Sequence, residues 1–223
     1  MTPLPKLILF DLDGTLIDSA PDLHEAVNAT LAEFGREPVT IETVRTMVGD
    51  GAQVLVERAF AIRLGPEYDP AAAFERFLAI YQDRATVLTR LYPGVAEALA
   101  SFAEWGVAMA LCTNKREALS RQIVDALGVG GHFSRVMGGD SLSSKKPDPL
   151  MLTTLADAYG VAPGETLMVG DSEVDAEAAR AAGIPFVLMT YGYRRGPVEM
   201  IRCLAALTRF DALPVLLERL GAP

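Results

Sequence analysis

Short apolar runs that alternate with helical patterns are the feature that most constrains the fold of this 223-residue chain. The strand-like runs are residues 6–10, 107–112, 135–137, 166–169 and 186–189. Helical patterns cover residues 117–127, 149–159, 173–182 and 212–220. Alternation of this kind is typical of a parallel sheet with helices on both faces. The chain is therefore predicted to have an α/β fold with a Rossmann-like parallel sheet core.

A long stretch between the first two of these strands interrupts the alternation. Apolar residues recur there at helical spacing in three stripes, at residues 23–34, 55–62 and 74–88. No run in this stretch resembles a strand, and Ser19 with Asp22 is expected to begin its first helix. We predict two units, an α/β core of residues 1–18 and 92–223 and an inserted all-helical cap of residues 19–91.

The composition excludes several classes of protein. A formal net charge of -9 argues against a general nucleic-acid binder, which normally carries a basic surface. No run reaches the roughly 18 apolar residues of a membrane helix, and no apolar leader precedes the first strand. We therefore expect a cytoplasmic protein with neither nucleic acid nor membrane as a partner. Both a monomer and a homodimer are compatible with the sequence.

The strongest chemical signal is a pair of carboxylates, Asp11 and Asp13, directly after the first strand. Residues two apart on extended backbone point the same way, so the two groups are expected to share a site. Gly14 permits a turn at the carboxyl end of the strand, where open α/β sheets bind their ligands. The alternatives are an acid pair that caps a turn and a calcium loop, whose glycine and glutamate spacing this segment does not follow.

This acid pair suits phosphoryl transfer assisted by a metal. Two close carboxylates repel each other unless a cation lies nearby, and oxygen ligands favour a hard ion such as Mg²⁺. An ionised Asp11 is a competent nucleophile for phosphorus. Asp13 is then placed to protonate the leaving alcohol and later to deprotonate water.

A second acidic group follows the fourth strand, at Asp171 and Asp175. Asp171 comes at a strand end, as Asp11 does, and is a candidate for completing a magnesium site. Asp175 follows one helical turn later and is a candidate for supporting Asp171. The alternative is that Gly170, Asp171 and Ser172 form an ordinary helix start.

Polar side chains also follow the second strand, at Thr113 and Asn114. A hydroxyl and the first backbone amides of a helix suit a phosphoryl oxygen. Asn114 is a second candidate for the same role. The alternative is that Asn114 only caps the following helix, with Glu117 three residues later and Gly128 just past its end.

Two adjacent lysines, Lys145 and Lys146, precede Pro147 in a loop. A lysine at the site would stabilise the charge on a transferring phosphoryl group. The alternative is that both are solvated, and the sequence leaves open which of the two reaches a phosphate.

The four segments, in this order, resemble the haloacid dehalogenase superfamily, most of whose members are phosphatases. The resemblance covers residues 6 to about 190 and implies a magnesium-dependent enzyme. It implies that Asp11 is the nucleophile, which forms an aspartyl-phosphate. It also implies that Asp13 is the general acid and base, and that the backbone carbonyl of Asp13 binds Mg²⁺.

The remaining roles also follow from the resemblance. Asp171 falls on a metal ligand of the family, with Asp175 supporting it. Thr113 and Lys146 fall on the residues that hold the transferring phosphoryl group. The helical insert is similar to the family's mobile cap, which closes over the site and contacts the substrate.

Three further stretches, residues 48–52, 138–140 and 190–193, resemble the branch of the superfamily that hydrolyses 2-phosphoglycolate. We therefore expect a small phosphorylated substrate, with 2-phosphoglycolate first. Three alternatives stay open: a phosphatase for a sugar phosphate or pyrophosphate, a sugar phosphomutase of the same fold, and a non-catalytic binding protein.

Selection of the substrate is expected in the cap, at the glycine-containing segment 45–53. Arg45 is a candidate partner for a substrate carboxylate, because its planar guanidinium suits bidentate contact. His24 is a second candidate to face the site. The alternative is that both are ordinary solvated side chains.

Overall fold

Every apolar run that the sequence marks as a strand lies in one parallel sheet of the computed structural model, which describes residues 4–221. The strands are β1 (Leu7–Phe10), β2 (Ile17–Asp18), β3 (Arg90–Leu91), β4 (Ala108–Cys112), β5 (Arg135–Met137), β6 (Thr166–Gly170), β7 (Phe186–Met189) and β8 (Ala205–Leu207). The sheet has the order β5-β4-β1-β6-β7-β8, and every neighbouring pair in it is parallel. The predicted α/β fold is confirmed.

The helices follow the predicted pattern in the core and fill the insert. They are α1 (Ala20–Glu33), α2 (Ile41–Met47), α3 (Ala52–Ala61), α4 (Pro70–Arg84), α5 (Val95–Glu104), α6 (Glu117–Ala126), α7 (Leu150–Tyr159), α8 (Glu173–Ala182) and α9 (Ala212–Gly221). The bounds of α6 to α9 agree with the predicted ranges to within one residue. Helix α5 and strand β8 were not predicted, and β8 is only three residues long. No helix among residues 4–221 is long and apolar enough to cross a membrane.

Helices cover both faces of the sheet, which explains why its central strands are apolar throughout. Successive side chains of a strand point to opposite faces. In β1, Ile8 and Phe10 pack in one core with α5, α6 and α9. Leu7 and Leu9 pack in a second core with α7 and α8. All four side chains of β1 are fully buried, so the strand that precedes Asp11 is held from both sides.

The insert leaves and rejoins the core at one point, a small antiparallel ribbon. In this ribbon Ile17 of β2 pairs with Leu91 of β3, and Asp18 pairs with Arg90. Helices α1 to α4 lie between the two strands and pack on one another. The expectation that no residue of 19–91 forms a strand is wrong for Arg90 and Leu91. The ribbon lies at both proposed boundaries of the cap, and the division into two domains stays a prediction.

The side chains expected to cap two helices, Asn114 and Ser19, have hydrogen-bond partners elsewhere in the structure. Helix α6 begins after Arg116, and the amide of Asn114 instead donates to the carbonyls of Gly49 and Lys146, both at 2.9 Å. Ser19 does precede α1, but its hydroxyl donates to the Asp13 carboxylate at 2.5 Å.

Candidate active site

Three neighbouring strands bring the predicted site residues to one edge of the sheet. Asp11 follows β1, Thr113 follows β4 and Asp171 follows β6, and β4 and β6 flank β1 on its two sides. Because the strands are parallel, their carboxyl ends lie at the same edge. From β1 the chain fills one side of the sheet and then the other, so this edge is the crevice where open α/β sheets bind ligands.

A group of three buried carboxylates lies at this edge. Asp11, Asp171 and Asp175 each place a carboxylate oxygen within 4.8 Å of the others. Burial raises the pKa of Asp11 to about 6, against the opposing effect of Lys146. Burial also raises the pKa of Asp171 well above its usual range, and the charges of Asp175 and Asp11 add to the rise. An all-oxygen group that resists ionisation unless a cation lies nearby fits a hard divalent metal ion.

Asp171 is fixed in place by the loops around it. Its carboxylate accepts hydrogen bonds from the hydroxyl of Thr15 at 3.0 Å and from the backbone amide of Tyr193 at 2.5 Å. Gly14 has φ of +87°, and a Cβ added there would come within 2.4 Å of an Asp171 oxygen. Only glycine therefore allows this approach. Neither Thr15 nor Tyr193 was predicted to be a site residue.

Lys146 supplies the positive charge beside the carboxylates. Its Nζ lies 2.9 Å from Oδ1 of Asp11 and 2.6 Å from Oδ1 of Asp175, and the side chain is only 2% exposed. Burial lowers the pKa of this lysine, but the two carboxylates outweigh it and the net direction is upward. The neighbouring Lys145 instead donates to the backbone carbonyl of Asp50 in the insert, at 2.7 Å. The lysine that faces Asp11 is thus Lys146.

Asp175 contacts both the buried Lys146 and the start of α8. Its Oδ1 accepts from Lys146, and its Oδ2 accepts from the hydroxyl of Ser172 at 2.6 Å. Ser172 and Asp175 form a capping box at the start of α8. Both oxygens of Asp175 thus have protein partners, and its role towards a metal stays a prediction.

The Asp13 carboxylate lies outside the group of three. It accepts from Nζ of Lys115 at 2.9 and 3.0 Å and from the hydroxyl of Ser19. Asp11 and Asp13 still line the same cavity, as expected from their spacing. The metal-binding role implied for Asp13 and its backbone carbonyl stays a prediction.

Lys115 is a buried cation to which the sequence analysis assigned no role. It is 8% exposed, and its Nζ donates to the hydroxyl of Tyr81 at 2.8 Å and lies 4.8 Å from the centre of that ring. Burial lowers the pKa of Lys115, but Asp13 and Tyr81 raise it, and the net direction is upward. Its position directly after Thr113 and Asn114 is the signal that would have indicated it.

Thr113 and Asn114 lie at the carboxyl end of β4, as the sequence predicted. The Thr113 side chain lines the cavity and is 2% exposed. The Asn114 amide nitrogen joins the insert to the lysine loop through Gly49 and Lys146, and its Oδ1 is buried with no hydrogen-bond partner in the described part of the chain. Contact of either residue with a phosphate stays a prediction.

A cavity between the insert and the core opens onto Asp11 and Asp13. Its walls are mainly apolar, with side chains from α1, the α2–α3 segment, α4 and α6: Leu23, Val48, Leu55, Leu78 and Leu119. Gly49 and Gly51, in the glycine-containing segment predicted to select the substrate, also line it. The space suits a small ligand with few groups that need hydrogen bonds.

The two cap residues proposed to contact the substrate lie elsewhere. Arg45 pairs with Asp18 at 2.8 Å, and the cavity does not include it. His24 contacts the backbone carbonyl of Val39 at 3.0 Å and lies beside Asn28. Both side chains have partners near the surface, so the alternative given for them in the sequence analysis agrees with the structure.

The family of this chain follows from comparison with known proteins. The chain matches the model of the haloacid dehalogenase-like hydrolases over residues 8–189, and it belongs to that family. The chain is thus a hydrolase, as the resemblance of its four segments implied.

Three individual proteins are also similar to this chain. The phosphoglycolate phosphatase of Rhodospirillum rubrum is 43% identical over 226 residues, covering 99% of this chain and 92% of the relative. That of Pseudomonas putida is 46% identical over 200 residues, covering 88% and 74%. The crystal structure of a predicted phosphoglycolate phosphatase from Haemophilus somnus has a TM-score of 0.91 at 33% identity, with 95% and 97% of the two chains covered.

Proposed function

We propose that this chain is a magnesium-dependent phosphatase that hydrolyses 2-phosphoglycolate to glycolate and phosphate. The observation that carries the proposal is the contact of buried Asp11 with Lys146, beside two further carboxylates and at the floor of a small cavity. Relatives that cover most of the chain and are named phosphoglycolate phosphatase support the substrate.

The first half of the reaction transfers the phosphoryl group to Asp11. A carboxylate oxygen of Asp11 attacks phosphorus, and the bond from phosphorus to the ester oxygen breaks. Asp13 gives a proton to that oxygen, which leaves as the neutral hydroxyl group of glycolate. Ser19 and Lys115 hold the Asp13 carboxylate in one orientation.

The second half releases phosphate and restores the enzyme. Asp13 takes a proton from a water molecule, whose oxygen attacks phosphorus, and the bond to Asp11 breaks. Lys146 offsets the charge on the phosphoryl oxygens in both halves. Mg²⁺, held by Asp11, Asp171 and the backbone carbonyl of Asp13, would withdraw further charge from those oxygens when bound.

The apolar cavity supports a small substrate over a sugar phosphate. A sugar carries several hydroxyls that need partners once they leave water. The five leucine and valine side chains in the lining of the cavity offer none. A two-carbon ester needs partners only at its phosphoryl group and at its carboxylate.

The test is Mg²⁺-dependent phosphate release from 2-phosphoglycolate, glucose 6-phosphate, glucose 1-phosphate and pyrophosphate. Asp11→Asn serves as the blank, because an amide does not form the acyl-phosphate. We expect kcat/KM for 2-phosphoglycolate to exceed the values for the other substrates by about 100-fold. A site that binds the carboxylate of 2-phosphoglycolate discriminates against substrates that lack this group.

Other outcomes would overturn parts of the proposal. Preference for a sugar phosphate or pyrophosphate would keep the mechanism and reject the substrate. Phosphate retained on the protein without release would favour a phosphomutase. Full activity in Asp11→Asn would reject Asp11 as the nucleophile.

A further inference from the structure

The cavity is lined by a buried cation, Lys115, that has no role towards the phosphoryl group in the proposed mechanism. Lys146 faces Asp11 and Asp175, whereas Lys115 faces Asp13 and the cap residue Tyr81. A cation this deep costs free energy unless it has anionic partners, and it attracts a desolvated anion far more strongly than an exposed cation does. We propose that Lys115, held by Tyr81, binds the carboxylate of the substrate, an inference that rests on the proposed function.

The distances suit a short ester. Asp13 protonates the ester oxygen, so that oxygen comes within about 3 Å of the Asp13 carboxylate. The Nζ of Lys115 lies 2.9 and 3.0 Å from the two Asp13 oxygens. In 2-phosphoglycolate a single CH₂ separates the ester oxygen from the carboxyl carbon, which places the carboxylate oxygens about 3 Å from it by ordinary bond lengths. The same substrate therefore reaches Asp13 and Lys115 together.

The contacts of Lys115 allow exchange with a substrate. An ammonium group has three N–H donors. The Nζ of Lys115 contacts three oxygens, the two of the Asp13 carboxylate and the hydroxyl of Tyr81. One contact with Asp13 is enough to hold that carboxylate, so a substrate carboxylate in the cavity would replace the other.

The other cations near the cavity are less suited to bind the substrate carboxylate. Arg116 lines it, but its side chain is 56% exposed and its Nε donates to Asp140 at 3.2 Å. Arg45 pairs with Asp18 outside the cavity. Thr113 and Asn114 also line the cavity but carry no charge, so Lys115 with Tyr81 is the buried cation that a substrate carboxylate meets.

The test compares 2-phosphoglycolate with ethyl phosphate, in which a methyl group replaces the carboxylate. The readout is the ratio of the two kcat/KM values, because loss of Lys115 also removes a partner of Asp13 and lowers both rates. In Lys115→Met we expect this ratio to fall by about 100-fold, the size expected for a charge-assisted contact in a buried site. In Tyr81→Phe we expect a fall of about 3- to 10-fold, since the ammonium loses one hydrogen bond that positions it.

Arg116→Met is the matched control, since it removes the other cation that lines the cavity. Its ratio should stay within about 3-fold of the unmodified enzyme, as expected for an exposed charge. An unchanged ratio in Lys115→Met, with equal losses on both esters, would show that Lys115 only positions Asp13 and would overturn the inference. A fall confined to Arg116→Met would assign the carboxylate to Arg116 and overturn it as well.

Two further measurements keep the result decisive. Lys115→Gln provides a second variant if the methionine variant does not fold, as judged by its melting temperature. If neither folds, an unchanged ratio in Tyr81→Phe overturns the inference. An unmodified enzyme without preference for 2-phosphoglycolate would instead reject the proposed substrate, so the two failures are distinguishable.

Discussion

The ammonium of Lys146 lies 2.9 Å from the Asp11 carboxylate, and the two side chains are only 2% and 10% exposed. Lys145, the preceding residue, points in a different direction and donates to the carbonyl of Asp50. Adjacent lysines thus serve two different parts of the molecule. One stabilises the site, and the other contacts the insert.

This difference predicts unequal effects of two alanine substitutions. Lys146→Ala should lower kcat by about 1,000-fold, because it removes a charge that stabilises the transferring phosphoryl group. Lys145→Ala should change kcat by less than about 5-fold, since its partner is a backbone carbonyl outside the site. Steady-state phosphate release measures both. Similar small losses in the two variants would exclude the lysine loop from catalysis.

The raised pKa values predict that metal binding weakens in acid. Burial raises the pKa of Asp11 to about 6, so this carboxyl is protonated below that pH and cannot bind Mg²⁺. Without metal, the stability that Asp11 contributes is present below its usual pKa of 3.8 and is lost as the pH rises through about 6. Metal binding should restore it at high pH.

We therefore expect Mg²⁺ to raise the melting temperature by several degrees at about pH 8 and by much less at about pH 5. Differential scanning fluorimetry with and without Mg²⁺ measures the shift. Asp11→Asn is the control and should lose most of the shift at high pH. An equal shift at both pH values would contradict the assignment of Asp11 as a ligand.

The hydrogen bonds of Asp22 predict that its removal destabilises the junction between insert and core. Asp22 is fully buried, and its carboxylate accepts from the amide and the hydroxyl of Thr89, at 2.8 and 2.7 Å, and from the amide of Leu88. Asp22→Ala leaves these donors buried without a partner and should lower the free energy of unfolding by about 3 kcal/mol.

Urea denaturation measures this loss. Glu25→Ala on the same helix is the control, because Glu25 is about half exposed and lies 3.6 Å from Arg84. Its loss should stay below about 0.5 kcal/mol. Equal effects in the two variants would show that Asp22 does not hold the junction.

Arg195 predicts an effect on closure of the insert. From the loop after β7, its guanidinium donates to the carbonyls of Thr46 and Val48, both at 3.2 Å, and to the Asp50 carboxylate. These contacts exist only when the insert lies against the core. Arg195→Ala should therefore raise KM by about 10-fold and speed amide hydrogen exchange in residues 46–51.

Arg194→Ala is the matched control, because Arg194 contacts the carbonyl of Thr190 in its own loop. It should leave both readings close to those of the unmodified enzyme. Faster exchange in Arg194→Ala alone would show that Arg194, and not Arg195, holds the insert against the core.

The sequence alone predicts the sheet and the positions of the reactive groups along the chain. Short apolar runs are a local property, so β1 and β7, which are buried on both faces, follow from the pattern of residues. Asp11, Thr113 and Asp171 each follow such a strand, and parallel pairing then brings them to one edge. β8 is short and half-buried, and its pattern did not distinguish it from a loop.

The tertiary structure decides which neighbour each polar side chain contacts. Lys146 and Asp175 are 29 residues apart, and Lys115 and Asp13 are 102 apart, so no local pattern pairs them. Sequence reasoning proposed Arg45 as a substrate contact, and the fold places it beside Asp18. A long side chain in a loop has many directions open to it, and the burial of its charge selects the one in which an opposite charge lies within reach.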